Sequence, residues 1–322
     1  MPEFELIRRL QEFMQAPAGA CALGIGDDAA ILDVPADRQL VVCTDTLVGG
    51  VHFPADTPPR AVGYKSLAVN LSDLAAMGAE PAWFFLALAL PDGDPAWIDE
   101  FARGMAGLAG EAGIVLAGGD TTSGSLCITV TAVGLVEKGR ALTRSGARPG
   151  DRVVVSGEPG RAANALRRLK AGERPDESDL TALEYPAPRL ALGRALLEQA
   201  TSCIDISDGL AADLGHILEQ SGVGARIDLA RLPCAETLAG LPEEERWALQ
   251  LAGGDDYELC FTLSPGDPVS LAALSARCGL ELTQIGKITS EAGLVLERPD
   301  GRRYETASTG YEHFAGADKA GG

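Results

Sequence analysis

The chain has 322 residues, 46% of them hydrophobic and 23% charged; it is too long for one ordinary domain, comfortable for two, and too apolar to be mainly disordered. Its 46 acidic against 27 basic residues give a net charge of −19, which argues against a basic surface for nucleic acid. No stretch approaches the roughly 18–20 unbroken apolar residues of a membrane helix, and the opening MPEFELIRRL has acids where a signal peptide needs bases, so neither membrane nor nucleic acid is an expected partner and a cytoplasmic location is expected.

Glu5 to Gln15 reads as an amphipathic helix. Leu40 to Thr44 is a buried strand ending at Asp45. Arg60 to Met77 is a helix closed by Gly78, the residue type expected just past a helix end. Trp83 to Leu90 reads as a strand, Pro95 to Gly113 as a helix, Ile114 to Ala117 as a short strand, and Leu126 to Val136, which alternates, as another. Gly139 and then Gly146-Ala-Arg-Pro149-Gly150-Asp151 are turn chemistry without periodicity and mark a domain boundary. Beyond it, Arg152 to Ser156 reads as a strand, 160–171 and 188–199 as helices, and 171–180 as a polar loop. Ser202 to Ile206 is a strand, with a helix starting near Ser207 or Asp208. Strands are expected at 225–229, 257–263 and 282–288, and a helix around 268–278. The pattern is α+β in two domains, 1–145 and 146–314, with a frayed tail over 315–322.

The acids are not spread like solvated surface charge. Several stand beside glycines at strand ends: Gly24-Ile-Gly26-Asp27-Asp28, Thr44-Asp45-Thr46, Gly118-Gly119-Asp120-Thr121-Thr122, Asp205-Ile-Ser207-Asp208-Gly209 and Gly253-Gly254-Asp255-Asp256. Asp73 follows Asn70 by three residues, which places the two on one helix face. Asp beside Gly is ordinary turn composition, so any one of these segments reads as structural. Five of them, mostly ending apolar strands, read better as carboxylates gathered to hold cations. Hard oxygen ligands suit Mg²⁺, and Mg²⁺ suggests nucleotide phosphates.

No G-x-x-x-x-G-K-[ST] is present, so the chain is not a P-loop protein. Gly24-Ile-Gly26-Asp-Asp-Ala29 mimics a dinucleotide fingerprint, but its two aspartates would repel a pyrophosphate. The seven cysteines contain no C-x-x-C, and the three histidines no H-x-x-x-H; core thiols in a reducing compartment and no zinc site are expected. Arg144 at the boundary is either a surface charge or a cation for phosphate oxygens. His52, just beyond Asp45, and the Tyr311–His313 cluster are structural or ligand-facing.

Taken in order, GIGDDAA (24–30), TDTLVGGVHF (44–53), YKSLAVNLSDLAAMGA (64–79), AGGDTT (117–122), LTRSGARPGD (142–151), DISDGLAADLGHI (205–217), GGDDYEL (253–259) and GYEHF (310–314) closely resemble the thiamine-monophosphate kinase family. The resemblance spans nearly the whole chain. It implies a two-domain AIR-synthetase-like (PurM-like) fold, N-terminal sheets that pair in a homodimer, and ATP-dependent phosphorylation of thiamine monophosphate to thiamine diphosphate with release of ADP. The implied magnesium ligands fall on Asp28, Thr44, Asp45, Asp73, Asp120, Asp205 and Asp208. Nucleotide contacts fall on Gly119, Asp120, Arg144 and Ser207, thiamine-phosphate contacts on His52, Asp255 and Tyr311, and catalytic roles on Asp45, Asp120 and Arg144. Asp255 stands where the family often has Glu, and Cys43 where it often has Ser. The competing readings are another ATP-dependent enzyme of the superfamily, such as a selenophosphate synthetase, and a non-enzymatic acidic metal-binding protein, which would carry EF-hand-like loops that this sequence lacks.

Overall fold

The computed structural model describes residues 3–14, 21–266, 270–306 and 310–311. The chain divides into two compact units, one formed by residues 1–141 and 184–198, the other by 142–183 and 199–322.

The first unit opens with α1 (Glu3–Phe13), whose Leu6 and Leu10 are buried at helical spacing together with Met14 beyond its end. β1 (Arg38–Val48), α2 (Pro59–Ala76), β2 (Glu80–Leu90), α3 (Pro95–Ala112), β3 (Val115–Ser123) and β4 (Cys127–Glu137) follow. The four strands form one sheet in the order β1-β4-β2-β3, antiparallel except for the β2–β3 pair. Alternation sets its two faces: Ile128, Val130 and Ala132 of β4 enter the core, while Thr129 and Thr131 between them face away. α2 is buried nearly all round. It crosses α3 at a pair of glycines, where a Cβ on Gly63 would meet Phe101 O at 2.0 Å and one on Gly104 would meet Arg60 O at 1.9 Å. α3 starts where Asp94 accepts the Ala96 N–H (3.0 Å) and stops at left-handed Gly113.

Two expectations for this unit change. β1 runs past Asp45 to Val48, and β3 runs past Ala117 to Ser123. Gly118 to Thr122 therefore lie within a strand. β2 offers an unbroken partner, pairing Leu86 with Gly119 and Ala87 with Asp120, and this pairing outweighs the poor strand preference of Gly and Asp.

The second unit holds β5 (Arg152–Ser156), α4 (Arg161–Lys170) and α5 (Glu177–Glu184), whose last residue already lies in the first unit. α6 (Leu190–Leu196) also packs in the first unit, with Leu192 and Leu196 fully buried. Then come β6 (Ala200–Ile206), α7 (Leu210–Ser221), β7 (Gly224–Asp228), α8 (Glu236–Ala239), α9 (Glu243–Ala252), β8 (Glu258–Leu263), α10 (Leu271–Cys278), β9 (Leu282–Thr289), β10 (Gly293–Glu297) and β11 (Arg303–Tyr304). The seven strands order as β11-β10-β7-β9-β5-β8-β6, with only β7–β10 parallel. Val153, Ile204, Ile206, Leu214, Ile217 and Trp247 are among the residues that fill its core.

The polar loop expected over 171–180 is interrupted by α5. Asp176 accepts the Ser178 N–H at the start of this helix (2.9 Å), and Asp179 is fully buried. The Asp179 carboxylate takes hydrogen bonds from Asn164 Nδ2 (2.7 Å), Thr237 Oγ1 (2.8 Å) and Arg161 Nε (3.3 Å). A segment that reads as surface in sequence thus ties α4 and α8 together. α8, α9, β10 and β11 are further elements that periodicity alone does not reveal. The tail over 315–322 lies outside the described residues.

Candidate functional site

In the first unit, β1 and α2 bring Asp45 and Asp73 close enough for both charges to act on Cys43. Burial first, then the charges of Asp73 and Asp45, drive the Cys43 thiol far above its ordinary value, so it stays a neutral thiol that gives Sγ–H to Asn70 O (3.4 Å). Asn70, fully buried, is a residue the sequence places beside Asp73 without giving it a task. Its Oδ1 accepts the Asp45 N–H (3.2 Å) and its Nδ2 donates to Ser66 O (3.2 Å). Thr44 faces the opposite side of the sheet, where its hydroxyl bonds that of Thr131 (2.9 Å).

Asp120 does not join this pair. The register aligns Asp45 with Val130, Leu86 and Gly119 in one row, and Thr46 with Thr129, Ala87 and Asp120 in the next. Asp45 is therefore on the helix-covered face of one edge strand, and Asp120 on the open face of the other edge strand. Three strand spacings, roughly 14 Å, separate the rows' ends. Asp120 is exposed, and its carboxylate makes no hydrogen bond or ion pair with a described residue. Gly119 beside it packs so closely on β2 that a Cβ would meet Leu86 O at 1.9 Å. Asp28 is also exposed, in a loop where Asp27 Oδ1 accepts the Asp28 N–H (2.8 Å). His52 Nδ1 accepts the Val48 N–H (3.0 Å), which fixes its ring over the end of β1.

In the second unit three segments meet. β6 ends at Ile206, just past the buried Asp205, and the chain turns through Ser207, Asp208 and Gly209 into α7. Ser207 O accepts the Asp255 N–H (2.9 Å), and Asp208 O accepts the Tyr311 N–H (3.1 Å). Asp255 and Tyr257 both take left-handed backbone, φ 69° and 50°, uncommon for such residues, and Tyr257 Oη donates to Asp255 Oδ1 (3.1 Å). The segments carrying Asp255 and Tyr311 are thus tied to the loop that carries Asp205, Ser207 and Asp208. Glu312, His313 and Phe314 of the same motif lie outside the described residues.

One residue beneath this loop escaped sequence reasoning. Asp213, on the first turn of α7 and buried, takes the N–H groups of Ser207, Asp208 and Gly209 on one carboxylate oxygen. Burial first, then the charge of Asp205, push its carboxyl up to about 7, with Asp208 adding to the rise and the Asp208 and Gly209 N–H groups opposing it. Carboxylates crowded this closely repel one another, and a bound cation relieves that repulsion.

Arg144 lies on an exposed turn fixed by its backbone. Arg144 O accepts from Ser221 Oγ (3.4 Å), and Cys203 N–H donates to Thr143 O (2.9 Å). Its guanidinium makes no ion pair with a described residue. Among the described residues, no three His, Cys, Asp or Glu side chains are already gathered as a ready-made metal site; the acids stand in the separate groups given above. No helix among these residues is long and apolar enough to cross a membrane.

This pairing of an acid-edged four-stranded unit with an acid-looped seven-stranded unit belongs to a recognisable class. Residues 26–136 match the N-terminal domain, and residues 148–298 the C-terminal domain, of the AIR synthase related proteins. Thiamine-monophosphate kinase of Escherichia coli strain K12 is 46% identical, over 97% of this chain and 98% of its own. The crystal structure of thiamine-monophosphate kinase from Stenotrophomonas maltophilia K279a is 44% identical, with a TM-score of 0.87 over 94% of this chain and 98% of its own. AaThiL complexed with AMPPCP and TMP is 30% identical, with a TM-score of 0.75 over 97% of each chain. The chain belongs to the thiamine-monophosphate kinase family.

Proposed function

We propose that this chain transfers the γ-phosphoryl group of ATP to thiamine monophosphate, giving thiamine diphosphate and ADP. Identity of 46% over nearly the full length to a thiamine-monophosphate kinase carries the reading, and a relative that binds AMPPCP and TMP supports it. The chemistry of the chain is consistent with it. Donor and acceptor are both anionic, and the chain offers carboxylates in separate groups together with Arg144, which has no ion-pair partner among the described residues. The acceptor is a phosphate oxygen already ionised at neutral pH, so no general base is needed. His52, the histidine nearest the Asp45 group in sequence, has its Nδ1 lone pair engaged by Val48 N–H.

Within this proposal, Mg²⁺ would be held by Asp28, Thr44, Asp45, Asp73, Asp120, Asp205 and Asp208. The crowding of Asp205, Asp208 and Asp213 supports the fit. When bound, such ions neutralise phosphate charge and orient an in-line displacement. Asp45, Asp120 and Arg144 are assigned to the reacting phosphates, with Gly119 and Ser207 beside the nucleotide. Arg144 would add a planar fork of donors to a phosphate. His52, Asp255 and Tyr311 are assigned to the thiamine portion. Tyr311 is exposed, and an exposed aromatic ring suits stacking on a heterocycle. The domain limits 1–145 and 146–314 belong to the same proposal.

A homodimer formed through the first unit's sheet is part of the reading. Leu40 and Val42 of β1, 46% and 58% exposed, stand on the face of the sheet away from α2, as apolar residues at a pairing surface would. Asp120 stands on that face too, so pairing bears directly on the nucleotide site. A cytoplasmic location accords with seven unpaired cysteines.

The test supplies ATP and Mg²⁺ with thiamine monophosphate or free thiamine. ADP and thiamine diphosphate should form from the monophosphate, with free thiamine nearly untouched. AMP as coproduct, or comparable turnover of free thiamine, refutes the proposal.

A further inference from the structure

Asp213 has no assigned part in the site, yet the loop that carries Ser207 and Asp208 is built around it. Three consecutive N–H groups, of Ser207, Asp208 and Gly209, converge on its Oδ2 at 3.0, 3.1 and 3.1 Å. Asp213 is only 3% exposed. A tight turn that aims three successive donors inward forms an anion-accepting nest, and here the chain fills the nest with its own carboxylate. The carbonyl side of the same loop is also occupied: Ser207 O takes the Asp255 N–H, and Asp208 O takes the Tyr311 N–H. The backbone between Ile206 and Leu210 is thus fixed from both sides. Of the groups that fix it, Asp213 alone is a side chain bonding all three residues.

We infer that Asp213 is a positioning residue, whose carboxylate sets the geometry in which Ser207 and Asp208 meet the nucleotide and its metal. The inference deepens the proposed function and rests on the assignment of Ser207 and Asp208 there. Asp213 need not touch substrate. It acts through the loop, as outer groups orient the residues that bind a metal directly. Alanine removes every acceptor from the nest and leaves three N–H groups, two part-buried and one buried, without that partner. Asparagine keeps one carbonyl oxygen of the same reach, so it should restore much of what alanine loses.

The experiment compares wild type, Asp213→Ala, Asp213→Asn and Asp208→Asn. It reads amide hydrogen exchange at residues 207–209, the Mg²⁺ concentration for half-maximal rate, and kcat and KM for ATP. Asp213→Ala should speed exchange at all three amides, raise the Mg²⁺ requirement and lower kcat/KM by about 10–100-fold, with Asp213→Asn falling between it and wild type. A structural role alone would reduce the folded fraction and scale kcat without moving the Mg²⁺ requirement or KM. If Asp213→Ala does not fold, Asp213→Asn carries the test, since a neutral and weaker acceptor must still shift both exchange and Mg²⁺ requirement. Unchanged exchange at the three amides overturns the inference, and so does faster exchange with wild-type Mg²⁺ requirement and KM. An unchanged Mg²⁺ requirement in Asp208→Asn instead overturns the metal assignment of the loop, and the inference with it, by a result confined to that variant.

Discussion

Asn70 Oδ1 accepts the backbone N–H of Asp45 at 3.2 Å, so the helix that carries Asp73 also holds the strand residue beside it. The two carboxylates are fixed to each other through one buried amide, and the spacing of the pair depends on it. Asn70→Ala should cost about 1–3 kcal/mol of stability from the buried groups it leaves unpaired. It should also raise the Mg²⁺ requirement about 10–100-fold, the usual effect of losing a group that orients a ligand. Thermal melts and Mg²⁺ titrations of the rate check the two effects separately; a destabilised enzyme with normal Mg²⁺ dependence would confine Asn70 to packing.

Asp45 and Asp120 stand on opposite faces and opposite edges of one sheet. They cannot substitute for each other. Asp45→Asn and Asp120→Asn should each lower turnover by at least about a hundredfold, the scale of lost transition-state electrostatics, with circular dichroism unchanged. Near-normal turnover of either folded variant contradicts its catalytic assignment.

Arg144 sits on a turn held by backbone contacts to Ser221 and Cys203, so its side chain can be removed without loosening the turn. Arg144→Ala should weaken ATP binding or slow transfer while leaving the ligand-free melting temperature within about a degree, as surface substitutions do. Arg144→Lys should recover only part of the loss, because a point charge lacks the planar fork. Calorimetry and kinetics both matching wild type in Arg144→Ala would remove this residue from the site.

Arg9 clamps Asp99 through two nitrogens, one of them at 2.8 Å, and so pins α1 to α3. The hydrogen bond from Arg9 first, then the charges of Arg9 and Arg103, hold the Asp99 carboxyl below its usual 3.8. A carboxyl depressed by folding stabilises the fold above its unfolded value, and that contribution is lost as pH falls through the lower folded value. The melting temperature of Asp99→Asn should therefore lie below that of wild type at pH 7, and the gap should close as the pH is taken under 3.8. A gap that stays constant down to pH 2 would show that charge plays no part in this contact.

Local chemistry made much of the first unit legible. Gly78 and Gly113 end α2 and α3 where left-handed residues are expected, and Asp94 starts α3 as a cap. Long-range pairing hid the rest. The strand character of Gly118–Thr122 exists because β2 lies alongside, and nothing within the segment announces it. The helix through Asp179 exists because Asn164 and Thr237 receive its carboxylate from distant parts of the chain. At the site, the acids could be picked out by their glycine neighbours, but their division into groups on opposite faces depends on strand order. Asp213 stayed hidden because an acid in a helix's first turn is ordinary complementation of the helix dipole. Its distance from Ser207, one turn and a half, was the signal available.

The return of residues 184–198 to the first unit has a consequence for synthesis. Tyr185 meets Tyr64 edge-on at 5.2 Å, Arg140 pairs with Glu198, and the fully buried Leu192 and Leu196 lie in this stretch. As the chain leaves the ribosome from its N-terminus, the first unit cannot be completed when residue 141 emerges. It must wait until residue 198 has cleared the exit, by which time 42 residues of the second unit, 142 to 183, have already been made. The two units therefore mature as interleaved rather than successive products, and a gene cut at the sequence boundary would deliver a first half lacking its last piece.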